Sequence, residues 1–467
     1  MTSHHHHHIV LFPFMAKGHT IPLLHLARLL IHRHVTITFI TTPANRPFIA
    51  EYLAGAGAGA ASILVLPFPN NIPEIPPGVE STDQLPSPSL FLTFAKSTKL
   101  LRPDFESALE SLPHVSCIIS DGFLGWTLDS AAKFGIPRLV SFGMSNYTMS
   151  ITEDVMANRL LVLTGPETDN DDEPITLTSF PWIKLTRNDF DQPFNQRQPN
   201  EPLLEFINEQ ISSTSASFGS IMNSFYELEP AFVNYMNRDQ IIPKAWCVGP
   251  LCLAEPSSRR SDHDYLDWLD QKLAEGRSIL YVAFGSQTDI STEQLTEIAL
   301  GLEQSGVNFI WVWRKGQEGD LGGFEERVKD RGIVKKGWVD QKAILGHESV
   351  KGFLSHCGWN SIIESVCAKV PILAWPMFSD QHLNARMVVE ESKIGLRVET
   401  VNGSVRGFVN SKGLEKMVRE MMEGEKGKEV RKKVSELGEA ARMAMEEGGS
   451  SWNALNRLLH EVENISS

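Results

Sequence analysis

Cysteine is scarce in this 467-residue chain: Cys117, Cys247, Cys252, Cys357 and Cys367 are five, an odd number without paired C-x-x-C spacing. The pattern fits a reducing compartment better than a disulfide framework or a cysteine zinc site. A basic excess is missing too, since the formal charge at pH 7 is −14. Phosphate backbones and anionic leaflets attract basic patches, so neither nucleic acid nor a membrane surface is an expected partner. No run reaches the roughly 18 uncharged apolar residues of a membrane span. The apolar stretch from Ile9 to Met15 is too short for the hydrophobic region of a signal peptide. The expected location is therefore the cytoplasm.

What is present is an ordinary globular composition, 42% apolar and 21% charged. The length exceeds what a single hydrophobic core usually supports, so two domains are expected. The tract His4–His8 abuts the first apolar run and reads equally as a native segment or a purification tag. The Asn-x-Ser/Thr triplets at Asn146, Asn402 and Asn464 matter only in a secreted chain.

Short apolar runs alternate with amphipathic stretches along the whole chain. Strands are predicted at 9–14, 35–41, 63–66, 117–120 and 138–141, with helices such as 21–32 and 124–133 between them. The pattern restarts with strands at 278–284, 309–313, 350–355 and 372–375 and helices at 292–304 and 359–368. Strand and helix alternating in this way predict parallel sheets with crossover helices, hence an α/β chain of two Rossmann-like domains. Gly249-Pro250, Pro256 and the run 257–260 mark a linker over 248–262. A last helix is predicted over 451–462, after Gly448-Gly449.

Two segments imitate motifs. The AGAGAGAA run at 54–61 follows a helix pattern and precedes a strand, the reverse of a dinucleotide turn. Asp169-Asn-Asp171-Asp172-Glu173 resembles a metal-binding DxD, but it sits in a polar loop and reads as a solvated acidic segment. No metal site is expected.

Towards the C-terminus the chain carries Trp338, Gln341, His356, Gly358, Trp359, Asn360, Ser361, Glu364, Pro376, Asp380 and Gln381. At these spacings the segment resembles the signature box of the plant secondary-product glycosyltransferases, enzymes that attach sugars from UDP-sugars to small molecules. The resemblance implies a GT-B fold, two Rossmann-like domains facing across a cleft, and metal-independent transfer with UDP-sugar as co-substrate and no other cofactor. It assigns 1–247 to acceptor binding and 263–449 to UDP-sugar binding, with the helix in 450–467 packing back on the N-terminal domain of a monomer. Val339-Asp340 stands where Ala-Pro is frequent in the box, and Lys369 where glycine is usual.

In open α/β sheets ligands bind beyond the carboxyl ends of the strands. His19, Asp121, Ser286, His356 and Asp380 each follow a predicted strand, as a site at that edge requires. Glycosyl transfer to a hydroxyl needs a base that takes the acceptor proton as attack develops. His19 fits that need, and a carboxylate such as Asp121 would orient its ring and stabilise the imidazolium. The family's His–Asp dyad maps onto this pair. Without chemistry, His19 is a first-turn helix residue and Asp121 a turn cap.

The departing diphosphate calls for hydrogen-bond donors. The loop Ser355-His356-Cys357-Gly358-Trp359 opens a helix whose N-terminus is an anion site. By resemblance, His356, Asn360 and Ser361 contact the phosphates with help from Ser286, and Glu364 binds the ribose. Ser361-x-x-Glu364 is also a capping-box pattern. Trp338 stacks on uracil in this scheme, with Gln341 at the base or ribose edge, and Asp380, Gln381 and Trp359 contact the sugar. Glutamine at the last box position accompanies UDP-glucose in the family, while His382 stands one residue on as a competing histidine. Phe91, Phe123, Phe142, Met144, Asn146 and Phe190 are the candidate acceptor contacts, and their aromatic character favours a flavonoid or other phenolic. O-glucosylation is the leading expectation and C-glucosylation its alternative. Retention of both His19 and Asp121 speaks against a non-catalytic UDP-sugar-binding protein, and the lack of a strand–GxGxxG–helix order speaks against a nicotinamide dehydrogenase. Metal-dependent transfer on the other glycosyltransferase fold would be exposed by loss of activity in a chelator.

Overall fold

Five consecutive buried residues, His8–Phe12, form the first strand, β1. A strand buried at every position is covered on both faces, which is the environment of a parallel sheet. The computed structural model that contains it describes residues 7–54, 61–163, 171–238, 244–254, 264–285, 288, 290–313 and 322–466. β2 (Thr36–Thr41), β3 (Ala61–Val65), β4 (Cys117–Asp121), β5 (Arg138–Phe142), β6 (Gly219–Met222) and β7 (Ala245–Cys247) complete a parallel sheet in the order β3-β2-β1-β4-β5-β6-β7. His8 is integral to it: the residue is 5% exposed and its Nε2 lies 2.8 Å from Thr38 Oγ1 on the neighbouring strand. That residue of the histidine tract is therefore part of the fold.

Helix α1 (Lys17–Ile31) follows β1 and buries Leu23, Leu24, Leu26, Ala27 and Leu30 against Ile9, Leu11, Ile37 and Phe39. Each fully buried leucine contributes about 1.5–3 kcal/mol. The same cluster takes in Leu455, Leu458 and Val462 of the terminal helix Ser450–Ser466.

A second parallel sheet is made by β8 (Ile279–Ala283), β9 (Asn308–Trp313), β10 (Gly332–Lys336), β11 (Val350–Ser355), β12 (Ile372–Ala374) and β13 (Gly395–Arg397), in the order β10-β9-β8-β11-β12-β13. Its core includes Leu280, Val282, Trp311, Leu354 and Leu373. Both sheets reverse their winding in the same place, between β1 and β4 and between β8 and β11. Such a switch point is where a doubly wound sheet binds its ligand.

The described residues group into two compact units, one within Met1–Asn146, Asn200–Glu255 and Met443–Ser467, the other within Tyr147–Pro199 and Pro256–Arg442. The segment 147–199, expected in the N-terminal domain, groups with the second unit. Asp189, fully buried, pairs with Arg386 at 2.8 Å, and Arg406 donates to the carbonyls of Asn188 and Phe190. Helix α2 (Asn146–Ala157) adds a hydrogen bond from Thr148 to Asn384. Of the expected linker, 248–254 is packed into the first unit, with Leu251 and Cys252 buried, and 255–262 lies outside the described residues. Most of the AGAGAGAA run lies outside them as well. No helix among the described residues is long and apolar enough to cross a membrane.

Candidate active site

β1 and β4 are neighbours with Phe12 opposite Ser120, so the residues that follow Phe12 and the last residue of β4 emerge side by side. His19 sits in the first turn of α1, and its Nδ1 lies 2.7 Å from Asp121 Oδ2. The other carboxylate oxygen accepts the Phe123 backbone N–H at 2.9 Å. A carboxylate can only accept, so the neutral imidazole carries its proton on Nδ1 and its basic lone pair on Nε2. The His19 side chain is 26% exposed and that of Asp121 4%. Asp121 thus both closes its turn and orients His19.

Arg138, 2% exposed, backs this pair. It donates to the Asp121 carbonyl at 3.1 Å, to Ser120 Oγ at 2.8 Å and to Ser217 Oγ at 2.8 Å. Burial pushes its guanidinium down to about 10, against the pull of the Asp121 carboxylate, so it stays charged at neutral pH. In the sequence Arg138 is only the first residue of a predicted strand. Arg138→Met is expected to cost about 3 kcal/mol or more in urea unfolding, because it strips Asp121 of a buried counter-charge.

Aromatic rings surround His19. Phe14 and Phe123 lie 5.6 and 5.5 Å from the imidazole centroid, and Phe91 lies 5.5 Å from Phe123. Phe142 packs against Gly122, where a Cβ would come within 2.2 Å of its ring, and Met144 is half-buried. Phe14 was absent from the expected set. Two members of that set need correction. Asn146 is fully buried and gives its backbone and amide N–H groups to the Glu229 carboxylate, at 2.7 and 3.0 Å. Phe190 is 3% exposed and belongs to the second unit.

In the second unit, Ala283 at the end of β8 stands opposite Ser355 at the end of β11. The turn at Gly285 therefore meets the loop that opens helix α3 (Trp359–Cys367). The His356 imidazole fits between two glycines: a Cβ at Gly285 would lie 2.6 Å from its Nε2, and one at Gly358 2.5 Å. Gly285 also has φ +78°. Ser286 lies outside the described residues. Cys357 adopts a left-handed φ of +64°, with its N–H donated to Ser355 Oγ at 3.1 Å. No side chain caps α3 and its first turn has no acidic residue, the arrangement in which a helix N-terminus takes an anion.

Ser361 is the third residue of α3, so Ser361-x-x-Glu364 does not form a capping box. Instead, Gln341 Nε2 donates to Ser361 Oγ at 2.9 Å and Glu364 Oε2 at 2.7 Å, while Tyr281 donates to Gln341 Oε1 at 3.1 Å. The glutamine thereby orients the glutamate. Trp338 is 58% exposed, as a ring offered to a planar base must be. The Trp359 ring is 2% exposed and buried, so it offers no face to a sugar.

Asp380 precedes helix α4 (Gln381–Arg386). Gln381 Oε1 accepts the backbone N–H groups of Met377 and Phe378 at 3.0 and 3.1 Å, which assigns Nε2 as the amide's donating end. His382 is 2% exposed, and burial, with Arg406 and Arg397 nearby, pushes it down to about 2. Its folded pKa is depressed, so below about 6.5 the unfolded chain takes up a proton that the folded chain refuses, and stability falls by about 1.4 kcal/mol per pH unit. Between pH 6.5 and 5, His382→Gln is expected to lose about 2 kcal/mol less unfolding free energy than the unsubstituted protein.

Of the acidic loop, Asp171 pairs with Arg197 at 3.1 Å and Asp172 accepts from the Ser404 hydroxyl at 2.7 Å. Among the described residues no group of three or more His, Cys, Asp or Glu side chains is arranged to hold a metal ion.

Known proteins share this construction. The family described as "UDP-glucoronosyl and UDP-glucosyl transferase" matches residues 255–443. UDP-glycosyltransferase 90A1 of Arabidopsis thaliana is 53% identical over 468 residues, covering 98% of this chain and 97% of that protein. UDP-glucose flavonoid 3-O-glucosyltransferase 7 of Fragaria ananassa is 35% identical, covering 98% and 96%. Among solved structures, Glycyrrhiza uralensis UGT73P12 complexed with glycyrrhetinic acid 3-O-monoglucuronide aligns with a TM-score of 0.87 at 31% identity, over 98% of this chain and 96% of that one.

Proposed function

The chain belongs to the plant UDP-dependent glycosyltransferases, enzymes of the GT-B fold that act on small molecules, and from that premise we propose that it is an inverting, metal-independent glucosyltransferase using UDP-glucose and a small aromatic acceptor. The observation that supports this reading most is the 2.7 Å bond between His19 and Asp121. As the acceptor oxygen attacks the anomeric carbon, its proton passes to His19 Nε2, and Asp121 stabilises the imidazolium. The carbon–oxygen bond to the diphosphate breaks in the same step, and UDP leaves with the bonding pair. An in-line displacement of this kind turns an α-linked donor into a β-glucoside.

His356 and the N-terminus of α3 receive the diphosphate charge, Glu364 binds the ribose and Trp338 stacks on uracil. Base and anion site are both supplied by protein groups, which supports transfer without a metal. Asp380 accepts from a sugar hydroxyl and Gln381 Nε2 donates to another. Glucose is favoured because Gln381 is held in that orientation by two backbone N–H groups, while His382 is buried. The rings of Phe14, Phe91 and Phe123 near His19 favour a flat phenolic acceptor. The flavonoid glucosyltransferase among the relatives supports the same class and O-linkage. A carbon nucleophile ortho to a phenol could be served by the same base, and acid resistance of the product separates the two. The proposal is tested by turnover of UDP-glucose with a phenolic panel, with His19→Ala as the control.

A further inference from the structure

Asn384 lies on α4 and is fully buried. Its Nδ2 donates to Asp380 Oδ2 at 2.8 Å and to the Cys357 carbonyl at 3.1 Å, while its Oδ1 accepts from the Thr148 hydroxyl at 3.0 Å. The partners dictate the amide's orientation. A carboxylate oxygen and a carbonyl oxygen both need a donor, and a flipped amide would set its oxygen against them. One of those acceptors belongs to the loop His356-Cys357-Gly358 that opens α3, and the other is the carboxylate assigned to the sugar. The backbone at or next to both acceptors is conformationally costly: Cys357 has φ +64°, and Ser379, immediately before Asp380, has φ +58°. Left-handed positions of this kind persist only where the surroundings enforce them.

We propose that Asn384 is the positioning residue that sets the spacing between the diphosphate and sugar halves of the donor site, with the Thr148 hydroxyl orienting its amide. The inference rests on the reading of His356, the start of α3 and Asp380 as the donor site. Asn384→Ala leaves the Cys357 carbonyl without this donor and releases the Asp380 carboxylate. In Asn384→Asp, two carboxylates meet at the distance of the present hydrogen bond and cannot both be ionised. In that variant a shared proton restores a hydrogen bond to Asp380 at low pH, and its loss at high pH sets the two groups against each other.

The test is calorimetric titration of the full chain with UDP-glucose and, separately, with UDP, at pH 5.5 and 8, for the unsubstituted protein, Asn384→Ala, Asn384→Asp and Thr148→Val, with thermal unfolding alongside. Asn384→Ala is expected to weaken UDP-glucose on the order of tenfold at both pH values, and UDP by a smaller factor. Asn384→Asp should bind UDP-glucose poorly at pH 8 and regain most of its affinity at pH 5.5, a dependence that a merely structural role would not produce. Thr148→Val should lose about threefold without a matching fall in Tm. Should Asn384→Ala fail to fold, the other two variants decide. Unchanged UDP-glucose affinity in Asn384→Ala and Thr148→Val, or an equal deficit of Asn384→Asp at both pH values, overturns the proposal. If the unsubstituted protein binds UDP but not UDP-glucose, the donor reading falls instead, and UDP binding judges Asn384: weaker binding in Asn384→Ala upholds its hold on the Cys357 loop, and unchanged binding overturns it.

Discussion

Replacing His19 with alanine lowers kcat by about two to four orders of magnitude, the range that a positioned general base contributes, and leaves the affinity for UDP unchanged. Asp121→Asn is expected to fall nearly as far for a different reason. The asparagine Oδ1 still accepts the Phe123 N–H now held by the carboxylate, but its amide then faces His19 Nδ1 as a donor. The ring answers by moving its proton to Nε2, which removes the base while the geometry stays intact. The double variant should be little worse than either single one, because the two residues act as a unit. Steady-state kinetics with saturating UDP-glucose measure all three. Additive losses would mean that Asp121 acts on something other than His19.

Gly285→Ala weakens UDP binding by roughly 10- to 100-fold, since two penalties coincide at one position. Its φ of +78° disfavours any side chain, and the new Cβ would stand 2.6 Å from His356 Nε2. The backbone strain alone is worth about 1–3 kcal/mol. Gly306→Ala separates the two effects: that residue has φ +72° with nothing within 4 Å of its Cβ. Both variants should lose stability in urea, and only Gly285→Ala should lose UDP affinity in a titration. Equal UDP affinities would remove His356 from the donor site.

Strands legible in the sequence are those dominated by apolar residues, such as β1, β8 and β9, where burial on both faces removes polar residues. β6, β7, β10 and β13 escaped notice because they are short or carry glycine and lysine: GSIM, AWC, GIVKK and GLR. The candidate site residues stand out in the sequence for a related reason. His19, His356 and Asp380 follow apolar strands and Asp121 ends one, where a polar residue interrupts a pattern. Supporting residues leave no such mark. In a one-dimensional pattern Arg138 merely opens a predicted strand and Asn384 looks like a surface polar residue, and only the fold buries them against Asp121, Asp380 and Cys357. The grouping of 147–199 was hidden similarly, since it depends on Asp189 and Asn188 meeting Arg386 and Arg406 far along the chain. Asn146 and Phe190 suit an acceptor pocket by chemical type alone, which carries no information about the side on which a residue is buried.

The most direct test of the account is UDP release, with mass spectrometry of the product, from UDP-glucose and a panel of flavonoids and simple phenols in EDTA, with His19→Ala alongside. Metal-independent transfer with His19 as the base gives a hexose adduct that forms in the chelator, is hydrolysed by acid as an O-glucoside and is lost with the histidine. An adduct that forms undiminished in His19→Ala, or that requires a divalent metal, would contradict it.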